Sequence, residues 1–355
     1  MRLQSMEGWR GLAALFVVIY HVDIAHIFFH QPWLRNGVPI LELFFVISGF
    51  VLALGFRDRI RDERGFWSFI VRRFGRIWPL HLAMLGLLLL LPLMRMFVGN
   101  GGEVWSSNLE AGTLPIHALL LQTWGQGESW TDWNFPAWTL SAEIVAYVVM
   151  AVIVLISPNA KMRWLLSIAT IIAAGTVFQI ELAESPIFNV PTIARCLTGF
   201  FVGFLLFDVW QRYPIKTART AAILEITAVV FAISVLFFRF YGPAYFTYHA
   251  AAAFLVYVFA FDRGPISKAL TNKPLLWLGS RSFSIYIFHG VVLVWARQIG
   301  YFIERVRGEP LWSPVTTVWG ENEKYIDLGN AWLNNGLFLA FMIVVLAGAE
   351  IMFRT

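Results

Sequence analysis

The first apolar stretch of the chain carries an arginine and a histidine eleven residues apart, Arg10 and His21. Eleven residues of α-helix turn through about 1100°, close to three full turns, so the two side chains share one helix face about 16 Å apart. A guanidinium suits a phosphate, and an imidazole with a pKa near 6.5 can act as a general base near neutral pH. The spacing therefore predicts anion binding and proton transfer along one helix. The structural alternative is an interfacial arginine with a packing histidine.

A second group of arginines precedes Pro79 in the segment RRFGRIWP. Arg72 and Arg76 are four residues apart and share a helix face, with Arg73 beside them. Guanidinium forks match the geometry of phosphate oxygens, so we expect these residues to bind a polyanion at the same membrane boundary as Arg10. Binding of lipid headgroups is the alternative that the sequence leaves open.

Two further ionisable residues lie inside apolar stretches, where such side chains are costly and therefore functional candidates. Glu143 follows Trp138 in AWTLSAEIVAY, and we expect its carboxylate either to orient His21 or to bond an arginine or an indole N–H. His289 lies eight residues beyond Arg281, about 12 Å from the inner end of its stretch. Both His21 and His289 are therefore expected near the middle of the membrane.

A pair of small residues, Ser48 and Gly49, lies in the apolar segment LFFVISGF and permits close approach of a helix or a ligand. The candidate substrate contacts are Ser48, Trp138 and His289. Glu42 precedes the same segment near its outer end, where we expect it to face water.

Several signatures of other chemistries are missing from the sequence. It contains no Walker motif, no GxGxxG, no GxSxG elbow and no HExxH. His26 and His30 lack a clear third ligand, so we expect no metal. ATP hydrolysis, dinucleotide chemistry and standard serine or zinc hydrolysis have no local support.

The composition requires that membrane helices position these residues. Of 355 residues, 58% are hydrophobic and only 14% are charged, against roughly 45–50% and about 25% in soluble domains. This excludes an ordinary soluble enzyme and a disordered chain, and the single cysteine, Cys196, excludes a disulfide scaffold. The basic residues lie in short loops between apolar runs, so they indicate membrane orientation rather than nucleic-acid binding.

The apolar runs predict an all-α polytopic membrane protein with about ten transmembrane helices in one domain, residues 1–355. A shorter stretch near 114–124 is predicted to be a re-entrant or interfacial helix. The predicted spans are 11–29, 40–56, 78–97, 137–157, 163–180, 194–210, 220–238, 245–262, 280–300 and 333–353.

The distribution of positive charge predicts the orientation of these spans. With the N-terminus in the cytoplasm, 19 of the 27 Lys and Arg residues fall inside. The segment Met96–Ala142 contains neither Lys nor Arg. We therefore expect both termini in the cytoplasm of a multi-pass plasma membrane protein, the inner membrane in bacteria. Acidic residues of that segment are Glu103, Glu110, Glu128 and Asp132.

Five blocks of the sequence, in this order, resemble acyltransferase family 3, the integral-membrane O-acyltransferases. They run from residue 9 to residue 290 and read WRGLAALFVVIYHV, ELFFVISGFVLA, FIVRRFGRIWPLH, WTLSAEIVAY and SFSIYIFHG. The chain departs from the family where Glu350 is not followed by a proline. We expect no appended hydrolase-like domain, so the resemblance is to the stand-alone members.

The resemblance implies transfer of an acyl group, usually acetyl, from cytoplasmic acyl-CoA to a hydroxyl of a cell-envelope carbohydrate or glycolipid. The donor co-substrate would be acetyl-CoA or another acyl-CoA, and no metal is implied. The motif residues carried over are Arg10 and His21 from Arg-x10-His, Arg72 and Arg76 from RxxxR, and Glu143 from the WSLSxE-like block.

The residues and the resemblance together predict one mechanism. The arginines hold the donor phosphates, the donor arm runs beside the first span, and His21 takes the proton of the acceptor hydroxyl while Glu143 orients it. A covalent acyl-histidine intermediate is also compatible with these residues. The acceptor would pass the segment 97–136, whose tryptophans can stack on a sugar: Trp105, Trp124, Trp130 and Trp133.

Two other classes of protein also fit part of the pattern. Buried His, Glu and Arg suit a proton-coupled secondary transporter or flippase, although the sequence has neither an inverted repeat nor paired broken helices. A membrane scaffold whose arginines bind anionic lipid is the third interpretation, and it leaves the depth of His21 unexplained.

Overall fold

A computed structural model describes residues 3–98, 109–124, 132–184, 193–316 and 322–354. Four residues named above, Glu103, Trp105, Glu128 and Trp130, lie outside the described residues.

Twelve α-helices and one two-stranded antiparallel sheet form the described part of the chain. The strands are β1 Trp312–Thr316 and β2 Asn322–Ile326, with Trp312 opposite Ile326. The helices are α1 Gln4–His21, α2 Val38–Phe56, α3 Glu63–Val98, α4 Leu114–Ala118, α5 Trp138–Ile156, α6 Ala160–Glu184, α7 Ile193–Arg212, α8 Ala218–Ser234, α9 Phe246–Phe259, α10 Pro265–Leu270, α11 Lys273–Arg307 and α12 Ala331–Arg354.

Eight of the described helices are long and apolar enough to cross a bilayer, namely α2, α3, α5, α6, α7, α8, α11 and α12. This confirms an all-α polytopic membrane protein. Helix α9 has only 14 residues, and α1 carries Glu7, Arg10 and His21 among its 18 residues. Ten spans therefore stay a prediction, which requires that α1 and α9 cross as well. We call the end of the bundle where α1 begins the proximal face, and the other end the distal face.

Helices α1 and α11 run parallel and in close contact through glycines. A Cβ on Gly279 would lie 2.0 Å from the carbonyl oxygen of Glu7, and a Cβ on Gly11 would lie 2.7 Å from the amide nitrogen of Gly279. Small residues let the two backbones approach, as is usual between membrane helices. The contact fixes the register of the two helices and brings His21, at the distal end of α1, level with His289 near the middle of α11.

The predicted helix near 114–124 is shorter than expected. Helix α4 ends at Ala118, since Leu120 adopts a left-handed φ of 57° that a helix cannot continue through. The segment lies against the middle of α3, where Trp78 Nε1 donates to the carbonyl oxygen of Ala118 at 2.8 Å. Whether the segment is re-entrant or interfacial stays a prediction.

The distal face is covered by the segment after α1 and by the strand pair, which the all-α prediction missed. The amide of Ile326 donates to the carbonyl oxygen of Asp23, and the amide of Ala25 donates to that of Ile326. Arg35 donates to the hydroxyl of Tyr325. The cover leaves the end of α1 beneath a layer of protein.

Candidate functional site

A cavity of about 160 Å³ lies between helices α1, α2, α3, α5 and α11. On α2 it extends from Leu41 to Leu52, about 16 Å along the helix axis. Its proximal end is polar and opens to the surroundings at Arg76, which is exposed. Its charged lining residues are Arg10, Arg73, Arg76 and Glu143.

The three arginines of this cavity have no partner of opposite charge in contact. In the described part of the chain, none of the three forms a salt bridge or donates a side-chain hydrogen bond, and Nε of Arg73 is buried without a partner. Arg73 instead lies over the ring of Phe56, with 4.4 Å from Cζ to the ring centroid. Three guanidiniums and one carboxylate leave a positive excess, which suits a ligand with several phosphate oxygens.

The structure changes which arginines form the expected pair. Arg72 is exposed and does not line the cavity, whereas Arg73 and Arg76, three residues apart, do. The spacing predicted Arg72 and Arg76 as the pair on one helix face, with Arg73 beside them. In the structure, the pair that lines the cavity is Arg73 and Arg76. The phase of α3 is set by packing, because Phe69 is buried and faces the same side as Arg73.

Glu143 belongs to the arginine cavity rather than to the histidine. Its Oε2 accepts a hydrogen bond of 2.8 Å from the hydroxyl of Tyr147. The structure therefore bonds this carboxylate to its own helix and not to His21, contrary to the expectation that Glu143 orients His21. Glu143 and Ser48 both line the cavity.

His21 is oriented by a second histidine. Its Nδ1 lies 2.9 Å from the carbonyl oxygen of Val17 and 3.3 Å from Nε2 of His289. The two imidazole rings are stacked with centroids 5.2 Å apart. Phe135 contacts both rings at their edges, at 4.9 and 5.8 Å. His289 is completely buried, whereas His21 is half-buried.

The hydrogen bonds assign the tautomer of each ring. A carbonyl oxygen only accepts, so Nδ1 of His21 carries the proton that points at Val17. Nδ1 of His289 likewise donates to the carbonyl oxygen of Tyr286 at 2.5 Å, which leaves its Nε2 as an acceptor facing His21. Neutral His21 therefore keeps an unshared lone pair on Nε2. No described residue donates to that nitrogen, so it is available as a base.

Helix α1 fixes the distances of Arg10 and His21 from its own start. Helix α1 begins at Gln4, so Arg10 lies about 9 Å and His21 about 26 Å along it. Six helical residues precede Arg10, and the mid-membrane depth of His21 stays a prediction. The separation of about 16 Å between the two residues is unchanged, and it matches the length of the cavity.

Trp138, expected to contact substrate, lies outside the cavity. It is buried between Phe45, whose ring centroid is 6.2 Å away, and the guanidinium of Arg195 at 5.7 Å. Arg195 donates to Glu42 Oε1 at 2.5 Å, so Glu42 is fully buried and the expectation that it faces water is wrong. Sequence reasoning missed this cluster, although an arginine within the apolar start of α7 signals it.

Comparisons with known proteins identify the family of the chain. Residues 3–354 match the family described as acyltransferase domain. The acyltransferase MdmB of Streptomyces mycarofaciens is 27% identical over 335 residues, which cover 84% of this chain and 81% of that protein. The peptidoglycan O-acetyltransferase OatA of Listeria monocytogenes is 21% identical over 317 residues. The O-acetyltransferase OatA of Staphylococcus aureus is 22% identical over 332 residues.

The coverage of these relatives differs. The aligned regions span 80% of this chain but 48% of the Listeria protein, and 85% of this chain but 52% of the Staphylococcus protein. The chain therefore spans about half the length of those two relatives. No solved structure matches the chain.

Proposed function

The chain belongs to the acyltransferase family 3 domain family, and from this premise we propose that it moves an acyl group from acyl-CoA to a hydroxyl of a cell-envelope carbohydrate or glycolipid. The observation that carries the proposal is the cavity itself. It holds three arginines that form no salt bridge with any described residue, and it ends at Tyr286, whose ring centroid is 5.7 Å from that of His289, the neighbour of the His21 imidazole.

Coenzyme A suits the proximal end of the cavity because it presents several phosphate oxygens on a long, flexible arm. Arg10, Arg73 and Arg76 would bind those oxygens, each guanidinium gaining the partner that it lacks. The arm would then follow the cavity for about 16 Å towards the distal end of α1 and the middle of α11. Acetyl is the acyl group that the named activities of the two OatA relatives favour.

His21 is the proposed general base. Its Nε2 takes the proton of the acceptor hydroxyl while the hydroxyl oxygen attacks the thioester carbonyl carbon. The new C–O bond forms, the C–S bond breaks, and the imidazolium returns the proton to the departing thiolate. His289 holds the imidazole ring in the required orientation through the contact between His289 Nε2 and His21 Nδ1.

The acceptor would approach from the distal face. His21 lies at the distal end of α1, and the ion pair of Asp23 with Arg297, 2.5 Å between Oδ2 and Nε, lies just beyond it. Charged pairs of this kind can hydrogen-bond a sugar hydroxyl. The name of the Listeria relative gives peptidoglycan as its substrate, which supports an envelope glycan as acceptor. The proximal face would then be cytoplasmic, in a plasma membrane, with both termini on that side.

The experiment that tests this function compares cell-envelope glycans from cells with and without the protein by mass spectrometry. We expect a mass difference of one acyl group on a glycan, lost in cells that carry His21→Ala. Identical glycan masses in all three strains, with the protein present in the membrane, would contradict the proposal.

A further inference from the structure

Tyr286 lies between the arginine cavity and the histidine pair. It lines the cavity on α11, and its ring centroid is 5.7 Å from that of His289 on the other side. Phe44, which also lines the cavity, is 6.1 Å from the Tyr286 ring. His21 does not line the cavity. A path from the cavity to the histidines therefore meets the ring of Tyr286.

The ring is held in place by its hydroxyl. Thr139 Oγ1 donates to the hydroxyl of Tyr286 at 3.1 Å, and that hydroxyl donates to the carbonyl oxygen of Pro136 at 3.1 Å. Pro136 lies in the turn Phe135–Ala137, whose Phe135 contacts both histidine rings. The two hydrogen bonds and the burial of the ring hold the Tyr286 side chain in one position.

A barrier is needed here because polar regions reach this point from both ends of the bundle. Below it, the cavity opens proximally at Arg76. Above it, His21 is half-buried and the ion pair of Asp23 with Arg297 is partly exposed on the distal side. A continuous water-filled path would conduct protons and small ions across the membrane, and apolar constrictions prevent this by excluding water.

We propose that Tyr286 is the seal between the donor cavity and the acceptor side, and that the arm of the donor displaces its ring. The seal is a property of the protein without substrates. The displacement rests on the proposed function, since the thioester must pass the ring to reach His21. While the ring is in place it also keeps distal water away from a donor in the cavity.

The seal is tested in proteoliposomes that contain a pH-sensitive dye, with an imposed proton gradient and no substrate. We expect Tyr286→Ala to raise the rate of proton entry at least about tenfold over the wild type, because the constriction is lost. The matched control is Tyr248→Ala, which removes another buried tyrosine ring that does not line the cavity and leaves the vesicles tight. Tyr286→Phe, which keeps the ring, also leaves them tight.

Chemical restoration of an aromatic ring at position 286 separates loss of the seal from misfolding, because the same protein is measured before and after treatment. In a Cys196→Ser background, Tyr286→Cys leaks, and treatment with benzyl methanethiosulfonate restores an aromatic ring and closes the leak. If Tyr286→Ala fails to insert, Tyr286→Leu takes its place and is expected to leak less than the cysteine variant. Inserted, monodisperse Tyr286 variants that are as tight as the wild type, or an equal leak in Tyr248→Ala, overturn the seal.

The displacement is tested by supplying acetyl-CoA with and without acceptor, and by measuring released thiol and the acetyl group transferred to the acceptor. Tyr286→Ala should raise the ratio of hydrolysis without acceptor to transfer with acceptor about tenfold, and Thr139→Val, which removes one of the hydrogen bonds, should raise it less. An unchanged ratio in both variants overturns the displacement. A wild type inactive with every donor contradicts the proposed function, whereas the leak measurement, which uses no substrate, still decides the seal.

Discussion

Nε2 of His289 lies 3.3 Å from Nδ1 of His21, across the glycine contact of two parallel helices. In the proposed mechanism, this contact gives His289 the positioning role that the sequence analysis considered for Glu143. A buried acceptor at that point favours the tautomer in which His21 keeps its proton on Nδ1 and its lone pair on Nε2.

Removal of His289 should slow the reaction without weakening donor binding. We expect His289→Ala to lower kcat about 10- to 100-fold, a part of the effect that a positioned base supplies, with KM for acetyl-CoA unchanged. His289→Gln, which keeps an acceptor, should restore part of the rate. A rise in KM with kcat intact would assign His289 to donor binding instead. Steady-state kinetics of thiol release measure both constants.

Two neighbouring arginines provide a matched test of the donor site. Arg73→Ala should raise KM for acetyl-CoA about tenfold, since a hydrogen bond to a charged group contributes about 1.5–3 kcal/mol. Arg72→Ala, one residue away but exposed and outside the cavity, should change KM less than twofold. Equal effects of the two substitutions on KM, or a larger effect of Arg72→Ala, would contradict the placement of the donor phosphates.

The buried cluster around Glu42 should contribute to stability rather than to catalysis. Its carboxylate accepts from Arg195 at 2.5 Å and from the Tyr245 hydroxyl at 2.7 Å, and lies 2.9 Å from His249 Nε2. Glu42→Ala leaves the Arg195 charge buried without its carboxylate, so we expect a loss of about 3–5 kcal/mol. Thermal unfolding in detergent measures it. A double variant with Arg195→Ala should lose less than the sum of the single variants, and strict additivity would argue against coupling.

The glycine contact between α1 and α11 should not tolerate a side chain. Gly279→Ala places a Cβ 2.0 Å from the carbonyl oxygen of Glu7, so we expect α1 and α11 to separate and the yield of folded protein to fall. Gly86→Ala in α3 is the control, because no atom lies within 4 Å of its added Cβ. Size-exclusion chromatography measures the yield of monodisperse protein for both variants. Equal yields would contradict the claim that α1 and α11 pack too closely for a side chain at Gly279.

The distal cover should loosen in acid. His26, in the segment between α1 and α2, is stacked on Phe338 with ring centroids 4.3 Å apart. Burial, with a smaller effect of Arg35, lowers the pKa of His26 to about 4. Because the pKa is lowered in the folded state from a usual value near 6.5, the fold favours neutral His26 and loses stability as the pH falls from about 6.5 to about 4.

The pH prediction is checked by the melting temperature of the wild type and of His26→Phe between pH 7.5 and 4.5. The substitution should reduce the fall in melting temperature over this range. The same fall in both proteins would show that His26 does not contribute to it.

Features that depend on local periodicity could be predicted from the sequence. The shared helix face of Arg10 and His21 follows from 3.6 residues per turn, and the structure keeps their separation of about 16 Å. The all-α membrane class follows from the lengths of the apolar runs. The strand pair could not be predicted, since five-residue strands such as WSPVT are too short to show a period.

Features that depend on packing between distant segments could not be predicted. Arg72 and Arg73 differ by one residue, and only the packing of Phe69 decides which of them faces the cavity. Glu42 seemed to face water because it precedes an apolar run, but Arg195, 153 positions later, makes its burial tolerable. The partner of Glu143 was open for the same reason, since neither Tyr147 nor His21 is favoured by sequence alone.

The central claim is that Nε2 of His21 removes the proton of the acceptor hydroxyl. It is tested most directly with purified protein in proteoliposomes, by transfer of labelled acetyl from acetyl-CoA to an envelope glycan and by calorimetric binding of coenzyme A. The account predicts that His21→Ala abolishes transfer and leaves the Kd for coenzyme A within about twofold of the wild type. Transfer by His21→Ala at the wild-type rate would contradict it.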